Sequence, residues 1–187
     1  SILDQSYTNF ELIIINDGST DDSESLIKSY TDQRINYIFQ QNTGLAGALN
    51  TGLKAAKGKY IARQDQDDIS LVDRLQKQVD FLDNNPDYVM TFTGYWGREP
   101  NGGYAPSSNP GWLGLIGFEN DEIITKDLLI TNYVTFGKMF KNIKNIIKDW
   151  MMDLPYYDWA LNYEISRHGK IKFLDYPMGV YRHHDTG

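Results

Sequence analysis

Three aspartates crowd into four positions of the segment KGKYIARQDQDDISLVDRL (57–75). They are Asp65, Asp67 and Asp68, and they follow the strand-like run KYIAR. In an extended segment, residues two apart point the same way, so we expect Asp65 and Asp67 to face one side together. Such a pair suits Mg²⁺ or Mn²⁺, particularly when a substrate diphosphate completes the octahedron. The alternative is that these acids charge the first turn of the next helix, which explains Asp68 well.

A second acidic position follows another buried run. Asp17 ends the segment FELIIIND (10–17), whose continuous apolar, β-branched residues are typical of a strand buried on both faces of a parallel sheet. The alternative role of Asp17 is turn chemistry, because Asp-Gly-Ser is a common turn sequence. Ligands of open α/β sheets gather at the carboxyl ends of strands, so acids at two strand ends are expected to converge on one edge.

The elements that must position these acids alternate four times between strand and helix over the first half of the chain. This alternation predicts an α/β layer fold, a single domain with a mainly parallel sheet sandwiched by helices. Apolar residues at helical spacing predict three buried helix faces. They are Leu26, Ile27 and Tyr30 after a cap at Ser19 or Thr20; Leu45, Leu49, Leu53 and Ala56; and Leu71, Leu75, Val79 and Leu82 after a cap at Ser70.

The second half of the chain is less regular. The stretch from Gly94 to Asn120 is rich in Gly, Pro and aromatic residues, and either a long ordered loop or an antiparallel excursion fits it. Helices are predicted for DEIITKDLLI (121–130), NIKNIIKDW (142–150) and PYYDWALNYEISRHG (155–169), the last burying Tyr157, Leu161 and Ile165. A final strand is predicted for KIKFLDYP (170–177).

The bulk composition excludes several classes of protein. The chain has 187 residues, a net charge of −7 and no cysteine. A nucleic-acid binder needs a basic face, and disulfides or thiolate metal sites need cysteine, so neither is expected. No apolar run is close to the length of a membrane span, which needs about 18 residues. The lack of cysteine suits a cytoplasmic protein, and KNIKNIIK (141–148) leaves contact with the inner face of the membrane as an alternative to a solvated amphipathic helix.

Several motifs in fixed order resemble a known family. SILDQSYTNFELIIINDGSTDDS, QNTGLAGALNTGLKAAKGKYIARQDQDD and RLQKQVDFLDNNPDYV together look like the nucleotide-binding half of a family 2 glycosyltransferase of the GT-A, Rossmann-like type. YYDWALNYEISRHGKIKFLDYPMGVYRHH resembles its acceptor-side end. The resemblance implies a nucleotide-sugar-binding part over 1–93 and an acceptor-side part over 94–187. Family members normally open with a central strand that this chain lacks, so we interpret the chain as a domain fragment.

The resemblance also implies roles for residues on the donor side. Asp17 would meet the nucleobase through the N–H of uracil. Asp65 would meet the ribose hydroxyls or metal-bound water, and Asp67 would hold a divalent cation, Mn²⁺ or Mg²⁺, that bridges the phosphates. Asn42 and Gly44 would pass close to the nucleotide, and a glycine turn explains them equally well.

On the acceptor side, Asp158 in YYDWAL matches the family's acidic position and is our candidate general base. Its alternative is a simple acid at a helix start. In the closing segment YRHHDTG, the resemblance implies that Arg182 would offset the negative charge of the phosphates and that His184 would complete the ligand shell of the metal.

These residues predict an inverting glycosyltransferase that moves a sugar from a nucleotide-diphosphate donor, expected to be a UDP-sugar, to an acceptor hydroxyl. The acceptor would be a saccharide or a lipid-linked saccharide, in bacterial surface polysaccharide synthesis. A non-catalytic nucleotide-sugar-binding fragment and a sugar-nucleotide nucleotidyltransferase remain the alternatives. The second of these should carry a glycine-rich basic loop after its first strand.

Overall fold

The computed structural model describes residues 1–98, 103–107, 136–147, 154 and 157–181. Within these ranges the chain forms eight strands and four helices. In chain order they are β1 (Leu12–Asp17), α1 (Ser23–Lys28), β2 (Ile35–Gln40), α2 (Gly44–Ala55), β3 (Tyr60–Ala62), β4 (Ile69–Ser70), α3 (Arg74–Asn84), β5 (Tyr88–Arg98), β6 (Tyr104–Ser107), β7 (Met139–Lys141), α4 (Tyr157–Ser166) and β8 (Lys170–Tyr181).

The strands form two sheets. β1 and β2 pair in parallel as a separate two-stranded sheet, from Leu12↔Ile35 to Asp17↔Gln40. The larger sheet has the order β3-β7-β5-β8-β4, with β6 paired to β5. In this sheet only the β5–β8 pair is parallel among the described strands.

The expectation of a mainly parallel sheet is therefore wrong, although the α/β class is confirmed. β5 and β6 pair antiparallel, so the antiparallel excursion is the correct alternative for the described part of the Gly/Pro-rich stretch. Antiparallel neighbours need only a short connection, whereas parallel neighbours need a crossover of a dozen or more residues. β7 then returns antiparallel between β3 and β5 and makes the sheet mixed.

Two hydrophobic clusters cover opposite faces of the larger sheet. Phe140 belongs to the cluster that contains α4, and its neighbour Met139 belongs to the cluster that contains α3. Successive strand residues point to opposite faces, so helices lie on both sides of this sheet, as predicted. Residues Leu49 and Leu53 of α2 pack on the α4 side.

The predicted helix faces have mixed outcomes. Leu75, Val79 and Leu82 of α3 and Tyr157, Leu161 and Ile165 of α4 are buried, which confirms both faces. α1 has only six residues and buries none of them, and Leu26 and Tyr30 are 62% and 57% exposed. Leu45 is also exposed, at 61%. The prediction of buried side chains at Leu26, Tyr30 and Leu45 is wrong, because periodicity alone does not supply a layer to pack against.

Two further predictions need correction. α3 begins at Arg74, after Asp73, and Ser70 lies in β4 instead of capping this helix. Residues 142–147 form a turn and not the predicted helix, with Asn145 at a positive φ of 56° and Ile146 buried. The helix predicted for 121–130 lies outside the described residues. Among the described helices, none has the length and apolar character needed to cross a bilayer.

Candidate functional site

The acidic segment after β3 forms a turn. Strand β3 ends at Ala62, and the Asp68 N–H donates to the Asp65 carbonyl at 3.3 Å. Asp65 and Asp67 therefore do not share a side through strand alternation, and that premise of the sequence analysis is wrong. The Gln64 side-chain amide closes the turn by donating to the carbonyls of Asp65 and Asp68, each at 3.0 Å.

Arg63 joins this turn to Asp158 in α4. Its Nη2 lies 2.8 Å from Asp65 Oδ1, and its Nη1 donates to Asp158 Oδ1 in a short contact. Burial disfavours the Arg63 charge, but Asp158 and then Asp65 outweigh burial, so the pKa of Arg63 is raised. The structure thus brings together two of the predicted site residues, Asp65 and Asp158, around one guanidinium.

Lys138 contacts Asp158 from the segment that leads into β7. The Arg63 N–H donates to the Lys138 carbonyl at 3.0 Å, one step beyond the Ala62↔Met139 pair, so the two basic residues lie side by side. Lys138 Nζ is 3.5 Å from Asp158 Oδ1, and the side chain is 4% exposed. This burial lowers the pKa of Lys138 to about 8.

Asp158 is held ionised by these two cations. Burial would raise the pKa of its carboxyl group, but Lys138 and then Arg63 lower it below its ordinary value. A small pocket adjoins this cluster. Its lining comprises Arg63, Gln64, Asp65, Asp68, Phe136, Gly137 and Lys138.

A second polar group lies at the carboxyl end of β1. Asp17 Oδ1 accepts hydrogen bonds from Gln40 Nε2 at 2.6 Å, from the Thr43 N–H at 3.0 Å and from Thr43 Oγ1 at 3.2 Å. The slight burial opposes ionisation, but the bonds from Thr43 and Gln40 lower the pKa of Asp17. Asn42 and Gly44 flank Thr43, and the Gly44 N–H donates to Asn42 Oδ1 at 3.2 Å.

The loop geometry gives Gly44 a local role. Its φ of 75° lies in the left-handed region, where glycine costs least. Gly18 faces Asn42 closely, because a Cβ at Gly18 would lie 3.0 Å from the Asn42 nitrogen. The glycine-turn explanation therefore accounts for this loop locally, and contact of Asn42 and Gly44 with a nucleotide stays a prediction.

Helix α2 links the two polar groups. It begins beside Asp17's partner Thr43, and its Asn50 accepts a hydrogen bond from the Tyr157 hydroxyl in a short contact. Tyr157 directly precedes Asp158 on α4. The Asp17 group and the Asp158 group are thus tied to the two helices of one layer, and no direct contact joins their described side chains.

Metal binding at the acidic turn stays a prediction. Asp65 and Asp67 lie in one tight turn and supply hard carboxylate oxygens of the kind that Mg²⁺ and Mn²⁺ prefer. Among the described residues, no group of three His, Asp or Glu side chains is arranged to hold a metal. Arg182 and His184 lie outside the described residues.

The sequence analysis did not identify the basic half of the cluster. Arg63 directly precedes the acidic segment, so its position two residues before Asp65 was the available signal. No sequence signal indicated Lys138, because FGKMFK matches no motif. The role of Lys138 depends on the β3–β7 pairing. Gln64 and the buried Arg74 were also missed.

Comparisons with known proteins show the family and the fold of this chain. The family described as Glycosyl transferase family 2 matches residues 1–146. An uncharacterized glycosyltransferase of Rickettsia bellii is 42% identical over 112 residues, which are 59% of this chain and 16% of that protein. The Bacillus subtilis protein EpsE is 47% identical over 98 residues, 50% of this chain and 35% of EpsE. The chain thus spans well under half the length of these relatives.

Two solved structures share the fold. Residues 1–349 of Staphylococcus aureus TarS match with a TM-score of 0.72 at 18% identity, over 97% of this chain and 54% of that one. The Pyrobaculum calidifontis mannosyltransferase PcManGT, solved with GDP-Man and Mn²⁺, matches with a TM-score of 0.72 at 18% identity, over 100% of this chain and 52% of that one. At this identity the likeness concerns the fold. With most of its length matched by the family description, this chain belongs to glycosyltransferase family 2.

Proposed function

We propose that this domain transfers a sugar, with inversion, from a nucleotide-diphosphate donor to an acceptor hydroxyl. The observation that carries the proposal is the Asp65–Arg63–Asp158 cluster, which joins a predicted donor-side acid to the predicted base. Family membership supports sugar transfer, and the GDP-Man bound by PcManGT supports a nucleotide-sugar donor. The similarity to TuaG, a Bacillus subtilis protein named for teichuronic acid biosynthesis, favours a role in bacterial polysaccharide synthesis.

The acidic turn fits a divalent cation on the chemistry of its donors. Asp67 would hold the ion, Asp65 would bind metal-bound water or the ribose, and His184 would add a ligand. When bound, Mn²⁺ or Mg²⁺ supplies a Lewis acid that stabilises the negative charge of the departing diphosphate. Arg63 and Arg182 would add positive charge near the phosphates.

Asp158 is the proposed general base. Its two cationic neighbours keep it ionised, which makes it ready to accept a proton but weakens its proton affinity. A free alcohol is far less acidic than a carboxylic acid, so the proton must move late. As the acceptor oxygen bonds to the sugar carbon, its hydroxyl becomes acidic and Asp158 takes the proton.

Asp17 would accept a hydrogen bond from the nucleobase. Its bonds from Thr43 and Gln40 fix the carboxylate at the end of β1 and stabilise the ionised form. A fixed acceptor of this kind favours a base with an N–H on its edge, and uracil and guanine both carry one.

Thermal denaturation with nucleoside diphosphates tests donor binding. We expect UDP to raise the melting temperature only when Mn²⁺ or Mg²⁺ is present, with GDP, dTDP and CDP measured in parallel. Asp67→Ala should abolish the metal-dependent rise, and Asp87→Ala, which removes an exposed aspartate, should leave it unchanged. Equal stabilisation by every nucleotide, or by none, would contradict the proposal.

Product formation separates an enzyme from the alternative of a binding fragment. Incubation with a UDP-sugar, Mn²⁺ and saccharide acceptors should release UDP and yield a glycosylated product of inverted configuration. Metal-dependent UDP binding without any transfer to acceptors would favour the non-catalytic alternative.

A further inference from the structure

We propose that Gln64 is a positioning residue that fixes the shape of the acidic turn, and that the buried Arg74 holds Gln64 in place. The inference deepens the proposed function and rests on it, because the turn is where the donor's diphosphate and its cation would bind.

Gln64 spans the turn with its side chain. Its Nε2 donates to the carbonyls of Asp65 and Asp68 at 3.0 Å each, and so ties together both ends of the segment that carries Asp67. The only other described backbone bond across the turn is the weak one from the Asp68 N–H at 3.3 Å. The Gln64 amide therefore helps to fix the backbone path that carries Asp65 and Asp67, while Arg63 orients the Asp65 carboxylate itself.

The opposite end of the Gln64 amide is equally determined. Its Oε1 accepts from Ser70 Oγ at 2.5 Å and from Arg74 Nη2 at 3.3 Å. A flipped amide would direct its NH₂ group at the Arg74 guanidinium and its oxygen at two carbonyls, which is unfavourable at three contacts, whereas the Ser70 hydroxyl could adapt by accepting. The amide thus has a single orientation, and both of its functional groups are used.

Arg74 is an unusual residue to hold Gln64 in place, because it is a buried cation. It is 1% exposed, and within the described part of the chain its guanidinium donates to oxygens of uncharged groups, Gln64 Oε1 at 3.3 Å and the Arg63 carbonyl at 3.4 Å. Its Nε has no hydrogen-bond partner, and among the described residues no carboxylate forms an ion pair with it. Burial lowers its pKa to about 10.

A buried cation without a counter-charge destabilises a fold, and an apolar side chain could anchor α3 at less cost. The position of Arg74 gives this residue a use. Its guanidinium donates to the Arg63 carbonyl and to Gln64 Oε1, at the backbone that leads into the turn. Arg74 thus supports the turn by orienting Gln64.

The same face of α3 also supports the other wall of the pocket. Gln78, one helical turn after Arg74 and fully buried, donates to the Gly137 carbonyl at 2.6 Å and to Thr91 Oγ1 at 3.0 Å. Gly137 directly precedes Lys138, the partner of Asp158. One helix face therefore supports the acidic turn and the segment beside the proposed base.

The test compares Gln64→Met and Arg74→Met with two matched glutamine controls. Methionine keeps the length of glutamine but removes every hydrogen bond. Gln66→Met alters an exposed glutamine of the same turn. Gln5→Met alters a buried glutamine that binds the backbone of Leu71 and Leu75, next to Ser70 and Arg74 but without a described bond to Gln64 or residues 65–68, and it measures the effect of loosening this region without cutting the Gln64 bonds.

The first readout is the Mn²⁺ concentration that gives half of the thermal shift with saturating UDP. We expect Gln64→Met to raise this midpoint roughly tenfold, as for other residues that orient metal ligands. Arg74→Met should raise it similarly, and the double variant should add little because both act through one network. A change below about twofold in Gln64→Met, or an equal rise in Gln5→Met, would overturn the proposal.

The second readout is hydrogen exchange of the free protein, which needs no ligand. Gln64→Met should speed exchange of the Asp68 amide selectively, whereas Gln5→Met should speed exchange near Leu75. If the parent chain shows no Mn²⁺-dependent response to UDP, the proposed function fails. The exchange data alone then decide whether Gln64 fixes the turn, and unchanged exchange at Asp68 would refute it.

Discussion

The two sheets of the molecule hold their polar sites in different ways. Every buried hydrophobic side chain of the described chain lies at Leu75 or later, in or beside the larger sheet. Among residues 1–74, the buried side chains are all polar or charged, for example Asn16 and Asn50. The sequence of β1 is as apolar as that of any core strand, yet only Asn16 in it is fully buried.

This difference separates two kinds of positioning. Asp17, on the small sheet, is fixed by hydrogen bonds from nearby loop residues such as Thr43. Asp158, on helix α4 beside the large sheet, is fixed by the packing of that helix into a hydrophobic cluster and by two cations, the half-buried Arg63 and the buried Lys138. Under the proposed function, the proposed base would thus be supported by the core, and the proposed nucleobase contact would be held by local hydrogen bonds, as suits a group that binds and releases a nucleotide in each cycle.

The largest expected effect is loss of the proposed base. Asp158→Asn keeps the shape of the side chain but removes its ability to accept a proton, so kcat should fall by about 10²- to 10⁴-fold. The dissociation constant of UDP in the presence of Mn²⁺, measured by calorimetry, should change by no more than about twofold. That factor corresponds to about 0.5 kcal/mol or less, which is at most the contribution of one weak hydrogen bond. Asp175→Asn, at an exposed aspartate, is the control. Retained turnover in Asp158→Asn would contradict its role.

The next largest expected effect is a difference in how much a truncated side chain destabilises the two regions. Leu82→Ala, at a side chain that is 1% exposed, should lower the free energy of unfolding by about 3 kcal/mol through the cavity it leaves. Leu26→Ala, at a side chain that is 62% exposed, should change it by less than about 0.5 kcal/mol. Urea denaturation of both variants measures this, and a similar loss in the two would remove the contrast between the regions.

Local patterns predicted the larger region better than the smaller one. Helices α3 and α4 have strong periodicity and a layer to pack against, so their buried faces were correctly predicted. The same type of pattern failed for Leu26 and Leu45, because periodicity states which residues share a face and not what covers it. Sheet direction was mispredicted because the antiparallel β7 arrives from a distant segment.

The candidate site was predictable to the extent that its residues lie in local motifs. Asp65 was found from its strand-end position, and Asp158 from the resemblance of YYDWAL to the family's acidic position. Lys138 was not, because it reaches Asp158 only through a strand pairing 75 residues from Arg63 in sequence. Gln64 was missed because its function depends on the turn, where an extended strand end was expected.

The buried lysine should make stability depend on pH. Burial lowers the pKa of Lys138 from 10.5 to about 8, so between these values the unfolded chain binds a proton that the folded chain lacks. The parent chain should therefore gain stability as pH rises through this window. Lys138→Met removes the cost of burying the charge. The free energy of unfolding of this variant minus that of the parent chain should therefore fall by about 2 kcal/mol between pH 7 and pH 9.5.

Denaturation of the parent chain and Lys138→Met in urea across this range measures the effect. Lys141→Met, which removes an exposed lysine amine in β7, three residues after Lys138, is the control and should show no such trend. A constant difference between the parent and Lys138→Met would mean that Lys138 does not titrate in this window.

The smallest expected effect is at Asp17, and it tests the donor side directly. Asp17→Asn retains a carbonyl that can accept from Thr43 and from a nucleobase, so it weakens the contact without removing it. We expect affinity for UDP with Mn²⁺ to fall by about fivefold, close to the loss of one hydrogen bond of about 1 kcal/mol. Affinity for inorganic diphosphate with Mn²⁺ should not change, because diphosphate has no base. An equal loss for both ligands would mean that Asp17 acts on the phosphates or on the fold of the loop. The distinction between a nucleobase site held by local bonds and a transfer site supported by the core would then be wrong.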